Sequence, residues 1–79
     1  MSIQFKDLQA GQTARVTGFA RDVPDRAYRR KLLAMGLTRG VEFQVMRVAP
    51  MGDPVEIALR GFSLSLRKDE AAALEIELQ

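Results

Sequence analysis

Residues 55–66 run VEIALRGFSLSL. Val55, Ile57 and Leu59 alternate with Glu56, Ala58 and Arg60; Gly61 breaks the run, and Phe62, Leu64 and Leu66 alternate with Ser63, Ser65 and Arg67. Successive side chains of extended backbone point to opposite sides, so a two-residue period marks a strand with one buried and one solvated face. Downstream, an Ala-rich turn over 69–73 precedes Leu74, Ile76 and Leu78, which alternate with Glu75, Glu77 and Gln79. Upstream, Val41, Phe43 and Val45 share one face, but Arg47 then takes that parity and Val48 the other. A bulge or strong bend near Met46–Arg47 restores the pattern. Pro50 stops this strand, Met51-Gly52-Asp53 forms a hairpin loop, and Pro54 opens the next strand.

Further toward the N-terminus, 24–35 (PDRAYRRKLLAM) is the one convincing helix. Pro24 or Asp25 suits its first turn. Tyr28, Leu32 and Met35 fall at i, i+4 and i+7 and make one apolar stripe. Gly36 fits the left-handed position just past the helix end, with Leu37 contacting Leu32 in a Schellman pair. Residues 12–20 (QTARVTGFA) read as a strand that Gly18 weakens, and Ile3, Phe5 and Leu8 make an apolar lead-in of about one helical turn. Five short strands with hairpin connections and one helix between the first and second predict a mainly β fold. Barrel closure hides the edges of such a sheet, so an SH3-like barrel is the first expectation and an OB-like barrel the second.

The chain has 79 residues, too few to split into domains, and 1–79 is expected to form one. It contains no cysteine and no histidine. Disulfides, Cys/His zinc sites, catalytic triads and imidazole bases are therefore excluded. No apolar run approaches the roughly 20 residues of a membrane span, and the first residues lack a signal-peptide core, so a cytoplasmic protein without membrane insertion is expected. The ten carboxylates match no metal-ligand spacing, and GLTRG at 36–40 matches no phosphate loop. Neither a cofactor nor a tight metal site is expected, and no enzyme.

Charge is the informative feature. Residues 21–31 hold five basic and two acidic groups, a local +3 in a chain of net +2, whereas 69–79 hold four acidic and no basic groups. The bland reading is a helix face solvated by Arg and Lys. The functional one is an acidic partner docked on Arg26, Arg29 and Arg30. Leu33 lies about 100° around the helix from Leu32, bordering a wide buried stripe or touching that partner. Met51, at the hairpin tip, is a further candidate contact. Nucleic acid is not expected, since no aromatic platform accompanies the cations and +2 is modest for a phosphate binder.

Three motifs sit in order: YRRKLLAMGLTRG, VMRVAPMGDPVEI and FSLSLRKDEAAALEIE. Together they resemble the ferrous iron transport protein A (FeoA) family. That pattern is a basic L-L-x-(L/M)-G-(L/M)-x-x-G segment, an A-P-x-G-D-P hairpin and an S-L-x-L-R-K-x-(E/D) segment. They fall here on Leu32, Leu33, Met35, Gly36, Leu37 and Gly40, on Ala49, Pro50, Gly52, Asp53 and Pro54, and on Ser63, Leu64, Leu66, Arg67, Lys68 and Asp69. The resemblance implies an SH3-like barrel that binds the cytoplasmic GTPase part of the ferrous iron permease FeoB and regulates uptake. Two alternatives stand beside it: a small nucleic-acid-binding barrel, and a free-standing relative of the C-terminal domain of iron-dependent repressors.

Overall fold

The computed structural model describes residues 2–19 and 26–79, with side chains from Ile3 to Phe19 and from Arg29 onward. Six strands make one antiparallel sheet: β1 (Ser2–Ile3), β2 (Thr13–Phe19), β3 (Glu42–Val48), β4 (Val55–Leu59), β5 (Phe62–Leu66) and β6 (Leu74–Leu78). Their spatial order is β1-β6-β2-β3-β4-β5. Helix α1 (Arg26–Ala34) lies between β2 and β3, and a four-residue helix α2 (Lys68–Ala71) between β5 and β6.

The apolar lead-in is more than a turn. Phe5–Asp7 form a 3₁₀ turn, with Phe5 and Leu8 buried, but Ser2 and Ile3 pair with Glu77 and Ile76 as a first strand. Helix α1 therefore follows the second strand rather than the first. The Ala-rich turn over 69–73 is helical for most of its length, with Ala71 and Ala73 buried. Pro24 and Asp25 lie outside the described residues, as do the side chains of Arg26 and Tyr28.

The expected bulge is present. Val45 pairs with Ile57 and Arg47 with Glu56, which leaves Met46 as the extra residue and brings Val48 opposite Val55. Phe43 and Val45 before it, and Val48 after it, consequently all reach the core. A second irregularity in β2 skips Thr17 between the pairs Val16–Ile76 and Gly18–Glu75. Bulges bend and twist the strands that carry them. The sheet thus curls around one cluster built from Phe43, Leu32, Leu37, Ile57, Leu66, Ile76, Val16, Val45 and Val55. Extents of 28 × 26 × 25 Å are those of a curled sheet, not a flat one. Among the described residues no ladder joins β5 to β1, so the barrel is partly open along that seam.

Candidate docking surface

Helix α1 ends as its sequence dictates. Gly36 takes φ +95°, its N–H donates to the Leu33 carbonyl (3.0 Å), and the Leu37 N–H donates to the Leu32 carbonyl (3.0 Å). This is the Schellman arrangement, and it buries Leu32 and Leu37 side by side. Met35 packs against the same core from the rim.

The opposite side of α1 is open to solvent. Arg29, Arg30, Lys31 and Ala34 are exposed, and so is Leu33, at 39%. Leu33 stands one turn beyond Arg29 and Arg30, so the two guanidinium groups precede an apolar side chain on the same face. The three cations differ in their surroundings. Arg29 stacks over the Phe19 ring, 5.5 Å from its centroid. Lys31 forms an ion pair with Glu70 of α2. Arg30 makes no ion pair among the described residues. The carboxyl of Glu70 is held below its ordinary value of 4.5, first by the Lys31 hydrogen bond and then by the Arg67 backbone N–H, which donates to it at 3.1 Å.

Phe62 was assigned to the buried face by parity, yet it is 46% exposed. It is the first residue of β5, where the inward face runs past the end of the core, and its ring leans on Gly36. A Cβ at Gly36 would stand 3.3 Å from Phe62 Cζ. Nearby, a groove of about 700 Å³ opens between Gly36, Gly40–Glu42 and Leu59–Arg60, and Arg15 lines it too. Sequence reading put Arg60 on the wet face of its strand and Phe62 on the buried one, but singled out none of Phe62, Arg15 and Arg60 as a functional residue. Their meeting depends on hairpin geometry, not on local spacing.

Met51 is 92% exposed at the tip of the 49–54 loop. The loop is closed by the Gly52 N–H to the Ala49 carbonyl (2.7 Å) and the Ala49 N–H to the Pro54 carbonyl (3.1 Å). Asp53 Oδ1 accepts the backbone N–H of Lys68 at 2.8 Å, tying this loop to α2. The structure therefore brings Arg29, Arg30 and Leu33 together on α1, while Met51 stands on a separate loop that Asp53 ties to α2 and, through the Lys31–Glu70 pair, to α1. Among the described residues no three carboxylates gather as a metal-ion site, and no helix is long and apolar enough to cross a membrane.

A curled antiparallel sheet with short helices, around one apolar core, defines a small mainly β domain of SH3-like type. The family profile described as the FeoA domain matches residues 3–78. The chain belongs to the FeoA family, which is associated with ferrous iron transport. An NMR structure of an FeoA-like protein from Clostridium acetobutylicum is 40% identical and superposes with TM-score 0.84, covering 98% of this chain and 86% of that one. FeoA of Stenotrophomonas maltophilia, described as a procaryotic SH3 domain protein, is 21% identical with TM-score 0.79, over 95% of this chain and 89% of that one, and supports the fold alone. An Fe(2+) transport protein A/Fe(2+) transporter FeoB fusion protein of Porphyromonas gingivalis is 37% identical over 51 residues. That match covers 65% of this chain and 6% of the fusion protein's length.

Proposed function

We propose that this chain is a cytoplasmic accessory protein that docks on the GTPase part of the permease FeoB and regulates ferrous iron uptake through that contact, without catalysing a reaction itself. The observation that carries this reading is the fusion protein of Porphyromonas gingivalis, in which a relative and a FeoB transporter share one chain. Covalent linkage of two domains raises their effective concentration, which favours any contact between them. The exposed side of α1 is suited to such a contact. Arg29 and Arg30 supply charge for an acidic surface, and Leu33 supplies apolar area beside them. Arg26, on the same helix, and Met51, at the tip of the 49–54 loop, are proposed as further contacts. Iron is the permease's cargo in this reading, since a chain without His or Cys lacks the ligands that hold ferrous iron tightly.

The test is calorimetry of the chain against the soluble GTPase domain of FeoB, at low and high salt, with a DNA duplex as control. A partly apolar protein contact should lose less affinity with salt than binding to the polyanion does. Binding to DNA that collapses with salt, with none to the GTPase domain, would overturn the proposal.

A further inference from the structure

β5 is an edge strand. Among the described residues it pairs with β4 alone, and its ladder begins with Leu59 opposite Phe62 across the two-residue turn Arg60–Gly61. The residues flanking such a turn bond to each other, and bonded pairs alternate along an antiparallel ladder. Phe62, Leu64 and Leu66 therefore direct their N–H and C=O groups toward β4. Ser63 and Ser65 direct theirs outward, along the open seam. Both serines are exposed, and the strand carries neither proline nor charge. None of the usual devices for blunting an edge is present within it.

The ends of the strand are different. Arg60 precedes it and Arg67 and Lys68 follow it, with Arg60 and Arg67 exposed and Lys68 partly so; the exposed Asp69 comes next, in the first turn of α2. This distribution discriminates between occupants. A second copy pairing antiparallel through β5 would set Arg60 beside Arg67 and Lys68 of its partner, and a parallel pairing would align like with like. Like charges facing across a strand pair disfavour both. An extended segment of opposite sign at its two ends meets cations at both. Over the β3–β4–β5 face, a depression of about 310 Å³, lined by Met46, Glu56, Ile57, Ser63, Leu64 and Ser65, reaches the edge at Ser63 and Ser65 and is open there to a side chain of an added strand.

We propose that β5 accepts an extended peptide segment of a partner protein as a seventh strand, bonded to the backbone of Ser63 and Ser65, with acidic residues at both of its ends. The spacing from Arg60 to Arg67 sets the separation of those acidic groups at about 20–25 Å along extended chain. This surface is distinct from the exposed side of α1 and does not depend on what docks there.

The probe is the capped peptide Asp-Asp-Val-Thr-Val-Thr-Val-Glu-Glu, titrated into the isotope-labelled chain and followed by amide NMR. The largest shifts are expected at Ser63 and Ser65, whose amide exchange should slow roughly tenfold, as expected for N–H groups newly paired. A peptide with Lys at the four acidic positions should bind roughly tenfold more weakly, and raised salt should narrow that gap. The R60E/R67E double variant should reverse the preference. As a second variant, Ser65→Pro removes an outward N–H without touching the β4 ladder, and should abolish binding of the acidic peptide. Absence of shifts at Ser63 and Ser65, equal binding of the two peptides, shifts on α1 instead, or a concentration-dependent dimer through β5 would each overturn the proposal.

Discussion

Gly52 has φ +87° in the loop that Pro50 and Pro54 bracket. A Cβ there would meet only Lys68 Nζ, at 3.4 Å, an ordinary contact. The cost of a larger residue is thus conformational. Gly52→Val should lower stability by about 1–3 kcal/mol in urea titration, and Gly52→Asn by clearly less, because asparagine tolerates the left-handed region. Equal stability of the Val variant would assign the glycine some other duty. Glu70 poses a different question. Its carboxyl titrates below its ordinary 4.5 when folded. A depressed folded value means that its stabilisation is present above the unfolded value and fades as pH falls through the folded one. Glu70→Gln should therefore flatten the loss of stability below about pH 4.5 and leave the curve's shape near neutrality unchanged. A parallel acid limb in the variant would mean that the Lys31 bond contributes nothing to the pH dependence. Gly52 was legible because two prolines frame it. Glu70 was not, since Lys31 lies 39 residues away along the chain.

Among the elements, α1 divides into a buried stripe and a wet face, and the two should respond to mutation in opposite ways. Leu32 is 1% exposed, so Leu32→Ala should cost about 2–5 kcal/mol by thermal or chemical unfolding. Arg29→Glu with Arg30→Glu should leave the melting temperature nearly unchanged. The Phe19 stack adds a penalty of no more than about 1 kcal/mol. The same double reversal should weaken binding to the GTPase domain and lower ferrous iron uptake in cells that carry only that variant. Normal uptake with a well-folded double variant would remove α1 from the proposed interface. Element-scale features were the most readable ones. Period-two runs give β4, β5 and β6, the lapse of parity at Arg47 gives the Met46 bulge, and Gly36 gives the end of α1. The stack of Arg29 on Phe19 was beyond reach, because it depends on where β2 ends in space.

For the molecule as a whole, curvature was legible and the seam was not. Five β-rich segments and one core imply a barrel, but strand order and the gap between β5 and β1 follow from non-local pairing. Two residues of β1 carry no period at all, so Ser2–Ile3 could not be told from a turn before Glu77 and Ile76 were seen opposite them. Of the proposed surface, the cations of α1 were visible as a charge cluster. Phe62 was hidden because its parity matches Leu64 and Leu66, while its exposure depends on the end of the core.

Helix α2 has only four residues and would not persist by itself. Asp53 grips its first residue from the hairpin side and Lys31 grips Glu70 from the α1 side. It is placed as a latch between the hairpin loop and α1. Its opening can be timed at the Ala71 amide, which donates to the Arg67 carbonyl at 3.0 Å. Asp53→Ala and Lys31→Ala should each hasten exchange at Ala71 while leaving the slow amides of β2 and β3 as they are. Unaltered exchange at Ala71 in both variants would show that the buried Ala71 methyl alone holds the latch shut. A ligand that seizes either the hairpin tip or α1 would then be registered, by way of this one turn of helix, at the other.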